Sequence, residues 1–196
     1  GATPRRSACR RWPGRWVADA EWPSPNVRGE AWVLGSGGGL VESEQFSVNS
    51  EQWSEVSFKG LQSTGMDVGE WCAYGVAGDF PVDQRGEDGR SLCFTSEGLG
   101  ERMEILGYPE VRLKVAADRP VGLVTARLCD VAPDGASTLV SYGMLNLTHR
   151  ESHAEPAGLV PGEFYEVTVK LNGIGYALPA GHRWRIALSP TYWPNA

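Results

Sequence analysis

The strongest constraint on this chain is an apolar–polar alternation of period two that recurs in well-separated segments. In "EVRLKVAA" Val111, Leu113 and Val115 share one face, and Arg112 and Lys114 the other. "FYEVTVKL" sets Tyr165, Val167, Val169 and Leu171 against Glu166, Thr168 and Lys170, and "HRWRIALS" sets Trp184, Ile186 and Leu188 against Arg183 and Arg185. "RWVADAEW" does the same with Trp16, Ala18, Ala20 and Trp22 against Arg15, Asp19 and Glu21. Successive side chains of a strand point to opposite faces, so each segment predicts a strand with one face buried. "EAWVL", "QWSEVSF" and "SLCFTS" are further strand candidates, bounded by turn-forming residues. No long window carries a helical period. The 25 Gly and 13 Pro are spread along the chain and favour short strands joined by tight turns. The expectation is an all-β protein, an antiparallel two-sheet sandwich.

The stretch "LVTARLCDVAPDGASTLVSYGMLNLTHR", Leu123 to Arg150, reads as two strands hinged on Pro133, Asp134 and Gly135. Pro133 presets the first central dihedral of the turn, Asp134 suits the second, and Gly135 supplies positive φ at a bulge. Both arms are long enough to be central strands, with Val124, Ala126 and Leu128 sharing one face of the first. The polar end at Thr148, His149 and Arg150 is expected to meet a neighbouring loop or domain, making the hairpin a wall and not a site. "LGSGGGL", Leu34 to Leu40, lacks the helix and Lys of a phosphate loop and is read as a surface hairpin.

Length and a 41% hydrophobic content are enough for one domain with a buried core, taken here as residues 15–196 after a leader or linker at 1–14. Arg5, Arg6, Arg10, Arg11 and Arg15 form a local basic cluster, read as a solvated leader. The first residue is Gly1, and "TYWPNA" stops within an apolar, aromatic run. The chain therefore reads as a piece of a longer polypeptide, truncated at its C-terminus, with function lying partly outside it. A net charge of -6 argues against nucleic acid or an anionic membrane as partner. No run approaches the roughly 18 apolar residues of a membrane span, and the basic start is not followed by the apolar stretch of a signal peptide. Cys9, Cys72, Cys93 and Cys129 form no C-x-x-C pair and no zinc spacing. Cys72, Cys93 and Cys129 lie in apolar, strand-like runs and are expected to be reduced, buried and structural, which points to a cytoplasmic location.

Catalytic chemistry is hard to find. The strained elbow of an α/β-hydrolase nucleophile needs G-x-S-x-G; "GSGGG" puts Gly37 at the serine position and "GASTL" around Ser137 lacks the second glycine. Of the three histidines, His149 and His153 in "THRESH" end a strand and open a loop, and His182 is expected to hydrogen-bond a neighbouring loop. Asp79, Asp83, Glu87 and Asp88 crowd the long loop Tyr74 to Arg90 without an EF-hand spacing, and Arg85 and Arg90 among them predict salt bridges in place of calcium. No residue is assigned a catalytic or metal-binding role and no cofactor is expected. Eight tryptophans raise a rival function, a carbohydrate-binding sandwich with an aromatic platform. Against it, Trp16, Trp22 and Trp184 fall on apolar strand faces and are expected in the core. Trp71 and Tyr74 flank the acidic loop and, with Asp79 inside it, are the candidate substrate- or interface-contacting residues.

Several stretches in order, "GRWVADAEWPSP", "GEWCAYGVAGDFPVDQRGEDGRSLCFTSEGL", "ERMEILGYPEVRLKVAADRP", "ARLCDVAPDGASTLVSYGMLNLTHR" and "YALPAGHRWRIALS", together cover most of Arg15 to Pro194. On these the chain resembles the C-terminal, non-catalytic domain of the cocaine esterase and X-Pro dipeptidyl-peptidase (CocE/NonD) family of serine hydrolases. The resemblance implies a jelly-roll β-sandwich of the galactose-binding-like type, joined to an upstream α/β-hydrolase domain that carries Ser, Asp and His. It implies that the nucleophile lies in that domain, and no catalytic residue transfers to this chain. Two departures stand out. "DRPVGLV" keeps only Asp118 of an acidic pair, and relatives continue past "YWP" into further strands, whose loss would uncover a sheet edge and invite self-association.

Overall fold

In a computed structural model the described residues are 15–43, 54–70, 72, 74–76 and 78–196. They are nearly all β. A short hairpin pairs β1 (Ala31–Leu34) with β2 (Leu40–Ser43). A single four-residue helix, α1 (Arg85–Asp88), precedes β3 (Leu92–Thr95). Then come β4 (Met103–Gly107), β5 (Glu110–Val115), β6 (Leu123–Val131), β7 (Ser137–Asn146), β8 (Tyr165–Lys170), β9 (Ile174–Leu178) and β10 (Arg183–Ser189), with a 3-10 turn at Leu147–His149 after β7. The largest sheet runs β3-β10-β6-β7, and β4 pairs with β9 and β5 with β8. Every pairing of strands is antiparallel.

One hydrophobic core joins these elements. The four-stranded sheet contributes Phe94, Val124, Ala126, Leu128, Trp184, Ile186 and Leu188, and the β5–β8 and β4–β9 pairs answer with Val111, Val167, Val169, Leu171 and Leu178. These are the apolar faces read from the alternation, and in register Ile186 lies opposite both Phe94 and Leu128. Each buried aliphatic or aromatic side chain here contributes about 1.5–3 kcal/mol, so the alternation is what holds the layers together. The β6–β7 turn forms as expected. Gly135 adopts φ +83°, its N–H donates to Ala132 O at 2.8 Å, and Asp134 Oδ1 accepts from Ala136 N at 3.1 Å.

Four expectations need correcting. "RWVADAEW" forms no strand, and Trp16 and Trp22 are exposed where core burial was expected, because nothing in the described chain supplies a neighbouring strand or a covering face. Ser54 to Phe58, the described part of "QWSEVSF", is likewise exposed and unpaired in any strand. Cys72 is exposed in a turn instead of buried in a strand. Finally, β6 is central but β7 ends its sheet. Beyond β7 the end of β8 closes in instead of a ladder: Asn172 N donates to Tyr142 O at 3.0 Å, and a Cβ on Gly143 would lie 2.0 Å from Lys170 O. Only glycine lets the two backbones approach so closely.

Candidate functional site

Strand β6 carries the least expected feature of the fold. One face, Val124, Ala126 and Leu128, enters the apolar core, yet Thr125, Arg127 and Cys129 on the other face are also fully buried. Residues 84–91 lie over this second face and polar bonds hold them down, with Gly65 and Asp67 bonded in turn to Glu87. Arg127 donates through Nη1 to Gln84 Oε1 at 2.9 Å and through Nη2 to Ser91 Oγ at 3.0 Å, with Asp88 Oδ1 at 3.2 Å. Arg185 reaches the other oxygen of Asp88 at 2.8 Å and gives its Nε to Thr95 Oγ1 at 2.9 Å. Asp88 thus lies between two guanidinium groups, as a buried carboxylate requires.

Glu87 is fully buried beside it and accepts from Gly65 N at 2.6 Å, Asp67 N at 3.2 Å and Arg90 Nη1 at 3.0 Å. Gln84 closes the set, donating Nε2 to Asp67 O and Val82 O, each at 2.8 Å. The salt bridges expected of Arg85 and Arg90 form with Asp83 and Glu87. Burial pushes the Asp83 carboxyl up, but bonds from the Arg85 side chain and from the backbone of Arg85 and Ser137 outweigh it and leave the group below its usual value. The network pins a loop-rich layer onto the sheet. Sequence reading identified the carboxylates but not Arg127 or Gln84; the available signal was an Arg in the apolar run of "ARLCDV", at a position whose alternation places it opposite the core.

The same layer sets the loop that carries the sequence candidates. Asp79 Oδ2 accepts from Tyr74 N at 2.8 Å and Val76 N at 3.3 Å, and Asp79 O accepts from Glu70 N at 2.8 Å. Gly69, at φ +80°, permits the approach, since a Cβ there would lie 2.4 Å from Asp79 O. Tyr74 is therefore held out into solvent, 90% exposed. The structure brings Tyr74 and Asp79 together; Trp71 lies outside the described residues.

Several hydroxyl groups and one imidazole are committed to bonds inside the fold, whereas Ser137 Oγ and His149 Nδ1 are buried without a hydrogen-bond partner among the described residues. Ser91 Oγ donates to Glu87 O, Ser96 Oγ to Glu97 O, Ser141 Oγ to Asn172 O and Ser189 Oγ to Thr191 O, each at 2.8 Å. His182 meets a strand residue instead of the loop expected: its Nδ1 is 2.6 Å from Asp130 Oδ1, and Tyr176 OH donates to Asp130 Oδ2 at 2.8 Å. The His149 and His153 rings lie tilted at 38° with centroids 5.4 Å apart. Burial pushes the thiols up, Cys93 to about 11 and Cys129 to about 12, so neither supplies a thiolate near neutral pH. Among the described residues no group of three or more His, Cys, Asp or Glu is placed to hold a metal ion, and no helix is long and apolar enough to cross a membrane.

Comparison with known proteins gives this arrangement its setting. Residues 2–196 match the family described as the X-Pro dipeptidyl-peptidase C-terminal non-catalytic domain. The chain is 25% identical over 190 residues to a cocaine esterase from Rhodococcus sp., covering 92% of this chain and 33% of that protein. It is 20% identical over 210 residues to an Xaa-Pro dipeptidyl-peptidase from Lactobacillus delbrueckii subsp. lactis, covering 90% of this chain and 26% of that one. Among solved structures it is similar to an alpha-amino acid ester hydrolase, at 27% identity and a TM-score of 0.55 over 57% of this chain and 20% of the other. The fold is also that of part of an aminopeptidase from a marine sediment Thaumarchaeota archaeon, at 19% identity and a TM-score of 0.73 over 92% and 32%. The chain thus spans a third or less of the length of these relatives. The match does not favour a carbohydrate-binding module. The chain belongs to the family of non-catalytic C-terminal domains found in CocE/NonD and X-Pro dipeptidyl-peptidase hydrolases.

Proposed function

We propose that this chain is the accessory module of a serine hydrolase, a jelly-roll sandwich of the galactose-binding-like type that buttresses an α/β-hydrolase domain of the same polypeptide and helps wall its substrate cleft. The observation that carries the reading is the match of residues 2–196 to a non-catalytic C-terminal domain, and the commitment of Ser91, Ser96, Ser141, Ser189 and His182 to bonds inside the fold supports it. The loop with Trp71, Tyr74 and Asp79 is where it would touch substrate or the neighbouring domain, and the solvent-facing ring of Tyr74 on a pinned turn supports that role. The upstream domain supplies the activated serine and the backbone donors for the oxyanion, and the whole protein acts by acyl transfer on esters or X-Pro amides. A cytoplasmic setting agrees with the three free thiols among the described residues. Contacts between copies are expected where a sheet edge is left uncovered.

The test is an assay of the purified 196-residue chain with ester and X-Pro anilide substrates. No turnover is expected. Turnover that a serine-directed inhibitor abolishes would overturn the reading.

A further inference from the structure

The exposed large apolar side chains are concentrated in the first part of the chain. More than half of the large apolar side chains left in solvent lie at or before Val76, although that part holds under a third of the described residues. Trp16 is 102% and Trp22 70% exposed, and Val33, Phe58, Leu61 and Met66 are exposed as well. Isolated exposed apolar residues are ordinary; a concentration of them with two bare indoles marks a contact surface.

We propose that residues 15–33 and 54–66 are the surface through which this chain docks onto the hydrolase domain, with Trp16 and Trp22 as its anchors; the proposal rests on the reading under Proposed function. The sequence of "RWVADAEW" carries the alternation of a half-buried strand, with both indoles on one face. In the structure that face meets only solvent. What fixes the segment is polar and peripheral: Arg15 on Glu104 at 3.1 Å, Asn26 on Asp19 at 2.6 Å, and a turn closed by Val27 N on Ser24 O at 3.2 Å. Such bonds are too weak to offset the entropy of ordering an extended segment, so its apolar face needs a partner.

The partner's identity follows from the comparisons. The matched family is a C-terminal domain, and the relatives hold at least two thirds of their length outside the match. Residues 15–33 lie at the end of the matched region nearest that remainder, where a tether of few residues makes contact effectively intramolecular. Two indoles at about 200 Å² each supply about half of the roughly 800 Å² that one side of a standard interface buries. Tryptophan is also the residue most enriched among anchors that carry binding energy.

Hydrogen exchange, measured on this chain and on the longer protein that contains it, tests the proposal. Peptides over 15–30 and 54–60, which lie outside the β1 ladder and the Gly65–Glu87 bond, should exchange freely in the 196-residue chain and at least about tenfold more slowly in the longer protein. Trp16→Ala with Trp22→Ala in the longer protein should return 15–30 to free exchange while protection of β6 stays unchanged. Equal exchange of these peptides in both forms, in a longer protein that still labels with a serine-directed fluorophosphonate probe, overturns the docking surface alone. A longer protein that does not label sinks the hydrolase reading and this proposal with it. Protection that arises in the 196-residue chain as its concentration rises, together with a dimer mass, would assign the surface to a second copy and also overturn it.

Discussion

Replacing Arg127 by Met tests whether the buried ionic network or the apolar core holds the loop-rich layer on the sheet. The guanidinium is fully buried and has three partners on that layer, Gln84 Oε1, Ser91 Oγ and Asp88 Oδ1. Met fills much of the same volume, so the loss is electrostatic and not a cavity. Breaking one side of a buried ion pair costs about 3–5 kcal/mol, and a buried acceptor left without its donor costs about 1–3 kcal/mol. Arg185 remains on Asp88 at 2.8 Å and reduces the first penalty, so the net cost should be about 4 kcal/mol. For a domain of this size that corresponds to a fall in Tm of roughly 10 °C, or about 2 M in the urea midpoint at a slope near 2 kcal/mol/M.

Urea unfolding followed by far-UV circular dichroism measures it directly. The companion variant Asp88→Leu, combined with Arg127→Met, removes the charge that the single change strands. Whole buried ion pairs are often replaceable by apolar residues at little cost, so the double variant should recover at least about 1 kcal/mol relative to the sum of the singles. Arg127→Met costing less than about 1 kcal/mol, or two strictly additive singles, would show that Arg127 and Asp88 do not hold this layer together.

Two further perturbations probe other parts of the fold. Gly143→Ala places a methyl 2.0 Å from Lys170 O and 2.7 Å from Lys170 C, both backbone atoms that cannot swing aside, so β7 and the end of β8 must separate; a loss of about 3 kcal/mol in urea unfolding is expected, against a few tenths for Gly100→Ala, where nothing lies within 4 Å. With Cys9 replaced by Ser, Ellman's reagent at neutral pH should label the exposed Cys72 quickly and leave Cys129 protected until urea is added. The partly buried Cys93 and the buried Cys129 also set a pH dependence: their folded values, about 11 and about 12, exceed the ordinary thiol value of 9.0, so their contribution is complete below pH 9 and is lost as pH rises toward 11 and 12. Cys129→Ala should flatten the alkaline fall in stability above pH 9.

How much of this was legible in the sequence depends on which interactions are local. The strands β5, β8 and β10 were readable because each alternation reports burial of its own side chains, and Val111, Val167, Val169, Trp184, Ile186 and Leu188 all reach the core. The β6–β7 turn was readable because Pro133, Asp134 and Gly135 act through their own dihedrals. The second buried face of β6 was not. Its burial depends on residues about 40 positions away in sequence, Gln84 and Asp88, and alternation says only that Arg127 faces away from the core, not that anything covers it. An Arg in that position ordinarily faces water. Similarly, Tyr74 and Asp79 were placed near each other by spacing, but the reason they are fixed, a backbone approach that only Gly69 permits, is a tertiary fact.

The failure at "RWVADAEW" has a different origin and carries more information. The same alternation that placed Trp184 correctly in the core places Trp16 and Trp22 on a buried face, and the rule did not change between them. Alternation encodes that a face is to be buried; it does not say by what. At Trp184 the burying surface lies within the chain, with Met103 Sδ accepting from the indole Nε1 at 3.3 Å and the Tyr176 ring 6.2 Å away. At Trp16 no such surface exists among the described residues, although the pattern is as regular. Where a burial signal and an observed exposure conflict in a domain whose relatives are three or more times longer, the conflict itself locates the missing contact.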